Sequence, residues 1–218
     1  MKSLPVWLAF AGIVALNTAG ISQGTKDPKA QEILNGASAK YKSMKSISAS
    51  FKIVSQDQKA KTTDTQTGNL VEKGDKYKLS LKGQDVISDG KTIWTFLKES
   101  NEVQINEASE KTDGISPTSI FTIYEKGFST KYMGDKMEGT KSVQQIELVP
   151  DDAKKTYFKI QIAIDKKDKV ITNAKIFNKN GTNFIYTIEQ YKMNAEAPES
   201  LFTFDPTKYP GVEVVDLR

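Results

Sequence analysis

The stretch Val86-Ile87-Ser88-Asp89-Gly90-Lys91-Thr92-Ile93-Trp94-Thr95-Phe96 decides how this chain is read. An apolar pair leads into Asp89-Gly90, and an alternating run with a tryptophan leaves it. Asp-Gly between two such runs signals a β-hairpin, and a two-residue turn of type I′ requires positive φ at both residues. Working outward, the same period-two alternation covers most of the chain.

Ile47, Ala49, Phe51 and Ile53 alternate with Ser48, Ser50 and Lys52. Further strands are expected at 65–73, 76–82, 84–88, 92–97, 102–105, 128–137, 143–149, 157–164, 170–177 and 183–191. Gly74-Asp75, Asp89-Gly90, Asp151-Asp152, 165–168 and Asn180-Gly181 mark turns between them. Short strands in sequence with tight turns describe an antiparallel meander. Most have one apolar and one polar side. In 157–164, for example, Phe158, Ile160, Ile162 and Ile164 alternate with Tyr157, Lys159 and Gln161.

A sheet with one wet face must cover the other. Two helical pieces are available. Asp27-Pro28 is a helix start, with a capping acceptor followed by proline at the first helical position. Ala30, Ile33, Leu34, Ala37, Tyr41 and Met44 then recur on one helical face. The second piece follows Ser116-Pro117, where Ile120, Phe121, Ile123 and Tyr124 form a short apolar run ended by Lys126-Gly127. Two small helices are sparse cover, so either the sheet rolls up or apolar concavity is left for a ligand. Past Pro198 the tail reads as short edge strands and a crossing loop.

The N-terminus reads as an export leader. Lys2 precedes an apolar run from Leu4 to Leu16, too short for a membrane span of roughly 20 residues. With residues 1–22 removed, residues 23–218 are expected to form a single domain. The chain has no cysteine, which rules out disulfides, thiol catalysis and an acylated N-terminal cysteine. A bacterial periplasm is the expected compartment.

Catalytic chemistry has little to work with. The chain has no histidine, the commonest general base and metal ligand. No metal or other cofactor is expected. Asp151-Asp152 and Asp165/Asp168 are the available carboxylate pairs, but each sits among lysines in a turn signature. No nucleophile elbow, phosphate loop or dinucleotide fingerprint is present. The charge of +4 is spread over mixed acidic and basic residues, as on a solvated surface, and nucleic acid is not expected as a partner. The expectation is a protein that is not an enzyme.

Taken in order, several segments resemble the periplasmic outer-membrane lipoprotein carrier family LolA. Met44-Lys45-Ser46-Ile47-Ser48-Ala49-Ser50-Phe51 leads into the first strand, and Gly68-Asn69-Leu70 follows like the family's Gly-x-Leu. Ser88–Trp94 matches its Asp-Gly-Lys-x-x-Trp hairpin. Ser116-Pro117 stands where the family has a lid helix. Leu201-Phe202-Thr203-Phe204 and Gly211-Val212-Glu213-Val214 echo its ending.

The resemblance implies a mainly β fold, an incomplete antiparallel β-barrel of about eleven strands with a helical lid over an apolar face. It implies carriage of lipoproteins, held by their acyl chains, from an inner-membrane ABC transporter complex to the outer membrane, where a receptor can accept them. A monomer is expected. Tyr77, Ile93, Trp94, Phe96, Ile120, Phe121, Ile123 and Phe158 are expected to line or close the cavity. Lys73 falls where the best-known family members have an arginine that latches the lid. Lacking that planar fork of donors, it predicts a looser lid or one latched elsewhere. The alternatives are a periplasmic lipid- or lipoprotein-sensing domain of the same architecture, and a hydrolase using Asp151 or Asp152.

Overall fold

The computed structural model describes residues 25–108 and 119–218. The expected leader, residues 1–22, and the Ser116-Pro117 step lie outside the described residues. Helix α1 spans Pro28–Lys42 and is capped as its sequence predicts. Asp27 Oδ1 accepts from the backbone N–H groups of Lys29 at 2.8 Å and Ala30 at 3.3 Å. The second carboxylate oxygen accepts from Tyr132 N at 3.0 Å, which ties the helix start to a strand. Ala30, Ile33, Leu34 and Ala37 are buried.

Twelve strands follow the expected order: β1 Ile47–Asp57, β2 Thr62–Lys73, β3 Lys76–Leu81, β4 Gln84–Ser88, β5 Thr92–Leu97 and β6 Glu102–Glu107, then β7 Phe128–Glu138, β8 Lys141–Pro150, β9 Tyr157–Asp165, β10 Ile171–Asn178, β11 Thr182–Met193 and β12 Glu213–Asp216. They form one sheet in the order β12-β6-β5-β4-β3-β2-β1-β11-β10-β9-β8-β7. The sheet is open, with β12 and β7 at its edges, and does not close into a barrel. Strand β12 runs parallel to β6, an exception to the expected antiparallel pattern. It reaches that edge from β11 through a long crossing segment, and only a long connection can deliver a parallel neighbour.

Two cores form on opposite faces. The larger lies on the inner face, the one carrying α1, and includes Ile33, Phe51, Leu70, Ile146, Ile160 and Ile176. The smaller lies on the outer face of β4–β6, where Ile87, Phe96 and Val103 meet Phe204 with Trp94, Tyr209 and Val212 packed around them. The tail supplies this second cover. Its 3-10 turn Glu199–Phe202 packs on β3 and β4, and Phe204 stacks on Tyr209 with ring centroids 4.7 Å apart. As expected past Pro198, the tail has a short edge strand, β12, and before it a crossing segment that forms a strap over the outer face.

The decisive hairpin forms, but its turn differs from the type I′ reading. Only Gly90 has positive φ, at 91°. Asp89 instead uses its side chain, with Oδ1 accepting from Lys91 N and Thr92 N, both at 2.8 Å. That side-chain capture holds a three-residue connection without asking a left-handed conformation of Asp89.

Candidate functional site

Helix α1 packs against β7 and against a short lid made of two 3-10 turns, Ser119–Phe121 and Ile123–Glu125. Tyr41 and Lys42 of α1 and Ser119 and Thr122 of the lid border the inner face of β3–β6. The result is a cavity of about 1100 Å³ there, walled by Ile53, Leu79, Leu81, Val86 and Ile93 among others. This volume is at the upper end of the range of about 300–1,000 Å³ usual for small-molecule sites. Register explains the apolar lining. Leu70 pairs with Leu79 and Leu79 with Val86, so the apolar side chains of β2, β3 and β4 point to the same face.

The cavity wall is mixed along its strands, with Gln84 and Thr95 beside its leucines. At the end near the Gly74-Asp75 turn stand Tyr41, Lys42, Lys45, Glu72 and Tyr77. Glu72 lies directly across from Tyr77, and Leu79 and Leu81 follow in steps of two toward the other end. The Tyr41 hydroxyl donates to Glu72 Oε1, linking α1 to β2. Glu72 Oε2 is shielded from water and has no hydrogen-bond partner among the described residues. Burial pushes the Glu72 carboxyl up to about 7; the Tyr41 hydrogen bond opposes this and the charge of Asp75 adds to it. Burial also raises Tyr41 and Tyr77 above the usual phenol range, with Glu72 contributing to both.

Of the eight expected cavity residues, Tyr77 and Ile93 line the large cavity. Trp94 and Phe96 do not. Successive strand side chains point to opposite faces, so Ile93 inward puts Trp94 outward, where it joins Phe96 in the second core. Phe158 is also misplaced by a simple alternation. The β9–β10 register shifts at Tyr157. That irregularity buries Tyr157 and leaves Phe158 47% exposed against Phe177. Ile120 and Phe121 are buried in the main core, and Ile123 packs against it. These three hold the lid down and do not wall the cavity.

Lys73 is not the lid latch. It lies on the outer face, where Lys73 Nζ and Lys76 Nζ reach Glu199 at 2.7 and 2.6 Å and fasten the tail strap. The lid is held elsewhere. Phe121 stacks on Tyr41 at 5.5 Å, and Glu125 accepts from Lys42 and Ser38. Sequence reading missed Glu72 and Tyr41 as site residues. A glutamate at an inner-face position, two residues after Leu70 in a Gly68-x-Leu70-x-Glu72 run, was the available signal.

The remaining carboxylates behave as turn residues. Asp165 Oδ1 caps the backbone of Lys167 and Asp168, and Asp152 Oδ1 that of Lys154. Asp151 accepts from Ser129. Among the described residues no group of three or more acidic side chains is placed to hold a metal ion.

An open antiparallel sheet with a partly bordered hollow on its inner face defines the architecture. The chain belongs to the family of the outer membrane lipoprotein carrier protein LolA, whose family model matches residues 42–205. It is 22% identical to the outer-membrane lipoprotein carrier protein of Coxiella burnetii over 99% of both chains. Among solved structures, an uncharacterized conserved protein from Thermus thermophilus has a TM-score of 0.56 at 11% identity, covering 86% of this chain and 99% of that one. The lipoprotein LppX of Mycobacterium tuberculosis has a TM-score of 0.53 at 13% identity, covering 79% and 99%. These two likenesses show the fold alone.

Proposed function

We propose that this protein is a periplasmic carrier that shields lipoprotein acyl chains between the two membranes of a Gram-negative bacterium. The observation carrying this reading is the hollow of about 1100 Å³ on the inner face of β3–β6, with Ile53, Leu79, Leu81, Val86 and Ile93 in its wall. Each methylene taken from water is worth about 0.8 kcal/mol, so an acyl chain gains strongly from such a wall. Contacts of this kind are non-directional and can be given up to a more apolar acceptor. The protein receives its passenger from an inner-membrane ABC transporter complex and hands it on at the outer membrane. It acts as a monomer, with no cofactor and with no bond made or broken.

Titration of residues 23–218 with a fluorescent acyl probe tests the binding step. Saturable binding is expected, lost in Leu81→Arg, which puts a charge in the wall. A reconstituted assay with donor and acceptor membranes tests transfer. Binding without transfer would point to the sensing domain instead.

A further inference from the structure

The tail strap lies over the outer face at β3–β6, whereas at β8 and β9 Val149 and Phe158 remain 43% and 47% exposed. The β9–β10 register passes from Phe177 opposite Lys159 to Asn178 opposite Tyr157, so Phe158 is the extra residue of a bulge. Bulges re-aim side chains, and this one turns a phenyl ring out of the core onto Phe177, with centroids 6.1 Å apart. Lys159 Nζ and Lys175 Nζ stand 4.7 and 4.9 Å from the centroid of Phe177. More lysines gather at the turns beside this pair of rings. Lys154 and Lys155 lie in the β8–β9 turn, and Lys179 Nζ, from the β10–β11 turn, donates to the Ala153 carbonyl. Gln58 N donates to the Gly181 carbonyl at 3.1 Å, which brings Lys59 and Lys61 of the β1–β2 turn alongside. The carboxylates among them are engaged. Asp57 and Asp152 cap their own turns, Asp151 accepts from Ser129, and Glu147 lies 3.7 Å from Lys159. Seven lysines against four carboxylates leave an excess of three positive charges, most of the chain's +4.

We propose that this end of the outer face is a docking surface for an anionic phospholipid bilayer, with Phe158 entering the headgroup layer and the lysines lying along it. Exposed aromatic rings among long basic side chains suit a membrane interface. The ring takes the apolar side, and the ammonium groups reach the lipid phosphates. A stable protein interface instead buries about 800 Å² per partner and is depleted in lysine at its core. This surface lies across the sheet from the cavity, and docking here leaves the cavity free.

The test is co-sedimentation of residues 23–218, which contain every described element of the fold, with vesicles of phosphatidylcholine alone or mixed equally with phosphatidylglycerol. Binding to the mixed vesicles is expected to be about tenfold tighter than to the neutral ones, and to weaken as salt rises. Lys154→Gln combined with Lys155→Gln should weaken it about 25-fold, at about fivefold per lysine. Phe158→Ser should weaken it about tenfold. Phe158→Trp should show blue-shifted emission on the mixed vesicles. Equal binding to both vesicles, or no effect of the lysine and Phe158→Ser substitutions, overturns the proposal. So does vesicle binding that is lost in Leu81→Arg, because it would come from the cavity. Retention on immobilised polyglutamate without vesicle binding also overturns it and assigns the patch to an acidic protein. The carrier reading is tested separately, by the acyl probe in the absence of vesicles.

Discussion

Lys42 Nζ lies 2.8 Å from Glu125 Oε1, joining the last turn of α1 to the second turn of the lid across an exposed surface. Ser38 Oγ donates to the same oxygen at 2.7 Å. Surface pairs of this kind are worth about 0.5 kcal/mol, so the latch is weak by construction. Glu125→Ala is expected to leave the melting temperature almost unchanged. It should speed amide exchange at residues 119–125 and shorten the residence time of a bound acyl probe. Unchanged exchange there would show that the Phe121–Tyr41 stack alone holds the lid.

The two faces of β5 give opposite expectations for near neighbours. Ile93→Asp places a charge in the cavity wall and should abolish acyl-probe binding with little loss of stability, because Ile93 is only partly buried. Phe96→Ala empties a buried position against Phe204 and Tyr209, whose centroids lie 5.6 and 4.5 Å away. It should cost about 3 kcal/mol in urea unfolding and leave probe affinity unchanged. The reverse pattern would mean that the strand is turned over.

Gly68 has no room for a side chain. A Cβ there would stand 2.6 Å from Phe51 Cζ, 2.7 Å from Leu81 Cδ2 and 2.9 Å from the Ser80 carbonyl oxygen. Gly68→Ala must therefore move a fully buried phenyl ring and a strand backbone, at about 1–3 kcal/mol. Chemical denaturation measures the loss, and a neutral substitution would contradict the close approach of β1, β2 and β3.

Stability should fall as pH rises from about 4.5 to above 7 through Glu72. Its folded-state value is raised, so the folded protein binds the proton more tightly than the unfolded chain. The stabilisation is complete below the unfolded value near 4.5 and is lost as pH passes about 7. Glu72→Gln removes the titrating group. Relative to wild type, its stability should improve by about 2 kcal/mol between pH 5 and pH 8. Thermal melts across that range check the slope.

Glu199 works in the opposite sense. Hydrogen bonds from Lys73 and Lys76 hold its carboxyl down to about 2. Its contribution is therefore present above the unfolded value and is lost as pH falls toward 2. Glu199→Gln should loosen the tail strap, read as faster proteolysis within residues 194–212, and flatten the acid limb of the stability profile. Lys73→Ala is expected to do the same without altering lid exchange, since it lies across the sheet from the lid.

The β elements were legible because their signals are local. Eleven of the twelve strands follow from period-two runs and marked turns, and Asp27-Pro28 specified the start of α1 through hydrogen bonds within one turn. The site was legible only in outline. A surplus of apolar face and two small helices implied a hollow, and Tyr77 and Ile93 fell in it. Phe158 was lost to a register irregularity that one chain segment cannot announce, because a bulge exists only relative to the strand beside it.

What the sequence alone determined, then, is a mainly β chain in the carrier family with apolar residues in excess of their cover. Which face each residue serves was decided by the tertiary structure. The tail, returning across the outer face to pair with β6, claims Trp94 and Phe96 for a second core. The side of a sheet that stays open depends on where distant segments lie down, and period-two alternation assigns residues to two faces without naming either. Glu72 follows the same rule. Its position after Leu70 places it on the inner face, but only the approach of Tyr41 from α1 makes that carboxyl part of a site.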